Sequence, residues 1–177
     1  MINIERALAI DGWMYPMHLE WLAQQAATHT SIIELGALMG RSTRAICDNT
    51  TGHVWAVDTW EKSEAVPNPD LVYSIFLTNM ADQISIDKLT IVRMSTDLAF
   101  ESYFRPMDPY PAFDMVFIDA NHSYEYVKRD ILNYRQLIRP GGILCGHDLN
   151  HDGVAKAVNE IFGADYRALE YLWWVTI

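Results

Sequence analysis

The sequence predicts an α/β fold built on a mostly parallel sheet that closes with an antiparallel hairpin, and three observations carry the prediction. Apolar runs rich in β-branched and aliphatic residues alternate with helix-period patterns from residue 15 onward. A glycine turn follows the first of these runs directly. The last two apolar segments lie too close together to enclose a crossover helix, so they must pair antiparallel.

Each element follows from its own residues. Leu19, Leu22, Ala23 and Ala26 mark an opening helix ahead of the first strand, SIIELG at 31–36. The further strands are HVWAVDT at 53–59, LTIVRMS at 89–95, FDMVFIDA at 113–120 and GGILCGHD at 141–148. Such unbroken aliphatic runs are what strands covered by helices on both faces require. Leu71, Ile75, Met80 and Ile84 mark a helix between the second and third strands. Over 123–138, Tyr124, Val127, Ile131, Tyr134 and Ile138 fall on one stripe, with Ser123 as N-cap and Pro140-Gly141-Gly142 as the stop. A helix over about 153–162 precedes the closing segments YRALEY and LWWVTI. No repeat, low-complexity tract or linker divides the chain, so residues 1–177 are expected to form one domain.

Half of the 177 residues are apolar, enough for a core of ordinary depth. A formal charge of −10 and a pI near 4.9 repel phosphate backbones and anionic lipid, which argues against nucleic acid and membrane surfaces as partners. The opening residues MINIERALAIDGW lack the unbroken apolar stretch of a signal peptide or membrane span, so a soluble, cytoplasmic protein is expected. Cys47 and Cys145 sit apart in apolar surroundings and read as buried thiols.

The segment from Glu34 to Thr43, ELGALMGRST, joins the first strand to a helix. Gly36 allows a tight turn and close approach of a ligand to the backbone, and Gly40 stands at the helix entrance, where free amides and the dipole favour a polar group. Chain reversal alone is the plain alternative. The G-x-x-x-G spacing is not the G-x-G-x-x-G of pyrophosphate binders. Glu34 is costly to bury unpaired, whereas a cationic ligand or a bound water gives it a partner. Asp58, 22 residues beyond Gly36, stands where nucleotide-binding sheets place the acid that accepts from ribose hydroxyls. Ser95, Thr96 and Asp97 either meet an adenine edge or cap the next helix.

In register, ELGALMGRST, AVDTW, DMVFIDANHSYEYVKRDI and IRPGGILCGHD resemble the class I S-adenosylmethionine-dependent methyltransferases. The likeness is greatest to the small family whose fourth strand reads roughly I-D-G-x-H-S-Y and whose fifth ends in H-D. It implies a Rossmann-like, seven-stranded, mostly parallel sheet of order 3-2-1-4-5-7-6 with the last strand antiparallel. It also implies S-adenosylmethionine as cofactor and methyl transfer to a small-molecule acceptor, such as a hydroxylated sugar or secondary metabolite. By the same resemblance Glu34, Gly36 and Gly40 line the methionine part, with Ala37, Ser42 and Thr43 of the same turn. Asp58 and Thr59 hold the ribose, Trp60 borders the adenine, and Thr96, Asp97 and Asp119 complete the set. The family usually has glycine where Ala120 stands.

Asp119, Asn121 and His122 follow the fourth strand, and His147 and Asp148 close the fifth, so neighbouring strand ends bring them together. Asp119 and Asp148 are a candidate pair of oxygen ligands for magnesium or calcium, an arrangement used by the related catechol-type O-methyltransferases. Those enzymes continue with asparagine where Leu149 stands here, which leaves Asn150 or His147 as the remaining candidate ligands. Without a metal, His122 is the candidate base, and its alternative is a structural role in the turn. The run Asp148-Leu149-Asn150-His151-Asp152-Gly153 superficially matches a calcium loop, but its twelfth position is Asn159 rather than glutamate.

Two irregular stretches, 61–70 and 104–112, are expected to shape acceptor recognition, with Trp13, Tyr15 and Trp21 as a candidate lid. Trp173 or Trp174 marks either a homodimer surface or a buried strand. A nicotinamide-dependent oxidoreductase and a binding protein without catalysis are the rival functions. The glycine spacing and closing hairpin weigh against the first, and Asp119, His122 and Asp148 against the second.

Overall fold

The computed structural model describes residues 1–62, 67–107 and 113–177. In its central strands both faces are apolar, so each strand feeds two cores at once. In β4 (Phe113–Ile118), Met115 and Phe117 join one buried cluster while Val116 and Ile118 join the other. The first cluster packs α2 (Pro16–Ala26), α3 (Arg41–Asn49) and α4 (Pro69–Ser85) through residues such as Leu22, Ile46 and Phe76. The second packs α6 (Tyr124–Tyr134) and α7 (Asp152–Phe162) through Ile131 and Ala157. The short α1 (Glu5–Leu8) is tied by ion pairs from Arg6 to Asp48 of α3 and Asp82 of α4.

Among the described residues the strands form one seven-stranded sheet of order β3-β2-β1-β4-β5-β7-β6, as the family resemblance implies. β1 (Ser31–Leu35), β2 (His53–Val57), β3 (Leu89–Val92), β4 and β5 (Ile138–Gly146) run parallel. The closing β6 (Arg167–Leu169) and β7 (Leu172–Thr176) form the hairpin, and β7 inserts antiparallel beside β5. Gly146 permits this insertion, since a Cβ there would meet the Trp173 ring at 2.6 Å.

Several expectations need correction. The 123–138 helix stops at Tyr134 and passes through a 3₁₀ turn, so Ile138 already belongs to β5. Pro140-Gly141-Gly142 forms an irregularity within β5 rather than a stop: Phe113 pairs with Ile138, but Met115 already pairs with Ile143. Ser95, Thr96 and Asp97 lie beyond β3, with Thr96 opening the four-residue α5 (Thr96–Ala99) and a π-helical turn following at Phe100–Phe104. Trp173 is buried, and Trp174 is half-buried against Trp21, their rings 4.8 Å apart. Of the two readings of these tryptophans, the buried strand is the one that Trp173 fits. Both cysteines are buried and free. Among the described residues, no helix is long and apolar enough to cross a membrane.

Candidate active site

Parallel strands joined by right-handed crossovers leave a crevice at their carboxyl ends, where the chain leaves the sheet toward opposite sides. Backbone bonds hold these ends in step: Gly36 N–H donates to Val57, Asp119 N–H to Leu35 and His147 N–H to Ile118. Above them opens a cleft of about 1130 Å³. Of the sequence-predicted residues, Gly36, Ala37, Ser42, Asp58, Thr59, Thr96, Asp97, Asp119, His122 and Asp148 line it.

The glycine turn forms one wall. Gly36 has a φ of +88°, and a Cβ there would lie 2.2 Å from the carbonyl oxygen of Asp119. Glycine is thus demanded first by the contact between two strand ends, which the sequence alone attributed to ligand approach. Asp58 fastens the same turn: its Oδ2 accepts from the N–H groups of Ala37 (2.9 Å) and Leu38 (3.0 Å), and its Oδ1 from that of Trp60 (2.8 Å). Leu38 and Trp60 sit at positive φ, +47° and +48°, and these bonds help to hold that strained backbone. Of roughly four lone-pair positions on the carboxylate, about one stays free for a ligand hydroxyl.

Four predicted contacts do not line the cleft. Trp60 is fully buried, its indole N–H donating to Leu38 O and its ring 4.8 Å from those of Tyr73 and Phe76, because the left-handed turn swings it into the core. Gly40 caps α3 and faces Phe76 and Met80, and Thr43 is buried on that helix. Glu34 lies beneath the turn, wholly buried. The hydroxyls of Ser42 and Thr43 favour its charge without closing a hydrogen bond of normal geometry, so both carboxylate oxygens lack a partner. Burial pushes its carboxyl up to about 7.

The opposite end of the cleft gathers His122, His147 and His151 around Asp148, with His18 buried behind His147. His122 Nε2 lies 2.9 Å from Asp148 Oδ2, and His147 Nδ1 lies 3.2 Å from Oδ1. His147 Nε2 meets His18 Nδ1 of α2 at 2.9 Å inside the protein, and His151 packs on His122 with ring centres 4.6 Å apart. Burial opposes the charge on Asp148, but hydrogen bonds from the two histidines outweigh it and hold this carboxyl well below the usual range. Asp119 goes the other way. Burial, together with the charge and hydrogen bond of Asp148, raises it well above the usual range. Asp148 itself sits at φ +60°, a strained backbone of the kind that collects at functional sites.

Ligand atoms of Asp119, His122 and Asp148 all lie within 4.8 Å of one another, which fits a divalent cation. The imidazole of His122 thus joins the two carboxylates, and Asn150 lines the same cleft. His147, the other candidate, spends its two nitrogens on Asp148 and His18. This mixed set suits manganese, cobalt or zinc as well as magnesium.

Sequence reasoning missed Tyr126, Arg129 and Tyr171, which also line the cleft. Their periodicity marks helix and hairpin but not which way these elements lean over the strand ends. Trp13 and Tyr15 line the mouth, whereas Trp21 of the expected lid is buried. Of the two irregular stretches, Glu61 and Lys62 reach the cleft, Phe104 is in the core, and 63–66 and 108–112 lie outside the described residues.

Comparison with known proteins agrees with this geometry. No curated protein matches the chain in sequence. Among solved structures, an O-methyltransferase from Bacillus cereus in complex with S-adenosylhomocysteine superposes with a TM-score of 0.70 at 17% identity, covering 98% of this chain and 90% of that one. The O-methyltransferase of tomaymycin synthesis from Streptomyces achromogenes, in complex with S-adenosylmethionine, gives 0.70 at 16% identity, over 98% and 86% of the two chains. A Corynebacterium glutamicum protein gives 0.72 at 15%, over 98% and 88%. At these identities the likeness establishes the fold. The family described as a methyltransferase domain matches residues 33–149, two strand-end clusters included. The chain belongs to that methyltransferase family and shares its fold with S-adenosylmethionine-dependent O-methyltransferases.

Proposed function

We propose that the protein transfers the methyl group of S-adenosylmethionine to a hydroxyl of a small-molecule acceptor. One observation carries the reading: a single cleft holds a nucleoside-type wall (Gly36, Asp58, Thr96) at one end and a histidine–carboxylate pair (His122, Asp148) at the other. In this reading the methionine part lies on the Gly36–Ser42 turn, one ribose hydroxyl meets the remaining acceptor position of Asp58, and the adenine sits among Thr96, Asp97, Tyr126 and Arg129. The unpartnered Glu34 supplies negative charge under the positively charged end of the donor.

The donor is already activated, so the chain's task is alignment and management of one proton. Asp148, ionised, accepts from His122 Nε2–H, which leaves Nδ1 with the lone pair that takes the acceptor hydroxyl's proton. Asp148 steadies the imidazolium that results, as the carboxylate does in other histidine–acid pairs. Were a divalent cation held by Asp119, His122 and Asp148 instead, Asp119 would give up its proton, His122 would serve as ligand rather than base, and the cation would make a bound hydroxyl more acidic. The aromatic mouth formed by Trp13, Tyr15 and Tyr171 favours an acceptor with a flat or ring-shaped face.

Isothermal titration with S-adenosylhomocysteine, followed by transfer of labelled methyl to a panel of phenols and sugars, tests the assignment. Saturable binding with label in an ether product is the expected result. Absence of binding to the folded protein would overturn it.

A further inference from the structure

Thr96 opens a wall that has little structure of its own. α5 has four residues and the π-helical turn after it five, both too short to be stable unaided. Two side chains of α6 hold this wall in place from behind. Thr96 Oγ1 donates to Asp130 Oδ1 at 2.6 Å, and Tyr134 OH donates to the Thr96 carbonyl at 2.7 Å. Both partners are buried, at 1% and 0% exposure, and neither lines the cleft. One helical turn apart on one face, they grip a single residue by its side chain and its main chain.

Asp130 is an expensive choice for a purely space-filling position. Burial pushes its carboxyl up to about 6, against the bond from Thr96, and an apolar residue would carry no such penalty. The same helix sends Tyr126 and Arg129 into the cleft, with the guanidinium 4.7 Å above the Tyr126 ring and 3.5 Å from Asp97. The clamp therefore fixes Thr96 and Asp97 relative to the Tyr126–Arg129 surface that faces them.

We propose that Asp130 and Tyr134 are positioning residues for nucleoside binding, acting through Thr96 without touching the ligand. This rests on the assignment of the Thr96 end to the nucleoside. A site whose walls are held by buried hydrogen bonds binds without first having to order them.

The test is calorimetric titration of the whole protein with S-adenosylhomocysteine, alongside thermal melting. Asp130→Ala should weaken binding about five- to tenfold, the effect of losing one hydrogen bond that orders the wall. Asp130→Asn, whose amide oxygen still accepts from Thr96, should stay within about twofold of wild type. Tyr134→Phe should weaken binding about threefold. In a Thr96→Val background, Asp130→Ala should add almost nothing, because the partner is already gone. Should Asp130→Ala fail to fold, the Asn and Phe variants carry the test. A lower melting temperature with unchanged affinity in Asp130→Ala would overturn the proposal and leave a purely structural role. Wild type failing to bind would overturn the donor assignment and this inference together, whereas wild-type binding with indifferent variants overturns this inference alone.

Discussion

Replacing Glu34 with glutamine separates the energetic cost of a buried carboxylate from its use. The carboxyl is wholly buried, without a hydrogen-bond partner, and burial lifts it from 4.5 to about 7. The folded chain therefore binds this proton more tightly than the unfolded chain. Stability from this source is complete below pH 4.5 and is lost as pH rises through about 7. At about 1.4 kcal/mol per pH unit the full loss is about 3 kcal/mol, reached above pH 8. The amide of the variant carries no charge at any pH, so Glu34→Gln should match wild type near pH 4 and exceed it by up to about 3 kcal/mol at about pH 8.5. Urea unfolding of both proteins at the two pH values measures this, and the difference between them cancels the titrating groups that do not feel the Glu34 charge. The same variant should bind S-adenosylmethionine more weakly, since the charge under the turn is lost. An equal stability gap at both pH values would refute the idea that this carboxylate is held against its preference.

Gly36→Ala should destabilise the fold by at least about 3 kcal/mol and abolish donor binding, as a positive φ and a 2.2 Å approach to Asp119 O coincide there; circular-dichroism melting and titration check both. His122→Ala should lower turnover about 10²- to 10⁴-fold with S-adenosylhomocysteine affinity unchanged, measured by methyl-transfer kinetics and calorimetry. Adding manganese to the chelator-treated protein should raise the melting temperature, and the rise should disappear in Asp119→Asn.

The sheet was legible because its signals are local. Strand runs covered on both faces announce themselves by continuous aliphatic residues, and the near absence of chain between Tyr171 and Leu172 left the hairpin as the sole way to pair them. Motif residues that stand at strand ends, Asp58, Asp119 and Asp148, were placed for the same reason. What sequence could not convey was direction. Nothing in AVDTW says that Trp60 adopts a positive φ and turns its indole inward, or that Asp58 spends three acceptor positions on its own turn. The bond between His18 and His147 joins residues 129 positions apart and has no local signature. Pro140-Gly141-Gly142 reads like a terminator but serves as a strand irregularity, since its glycines tolerate either use.

The two ends of the cleft are built from different stretches of chain. The glycine turn, with residues 11–14 packed on Arg41 at its end, and the loops after β2 and β3 make one, while Tyr15, the β5 end and the β6–β7 corner at Tyr171 make the other. On the proposed assignment of the two ends, substitutions at Tyr15 or Tyr171 should change which molecule is modified while donor affinity, read by titration with S-adenosylhomocysteine, stays the same. Under that assignment the hairpin corner becomes a place where substrate choice can drift one side chain at a time.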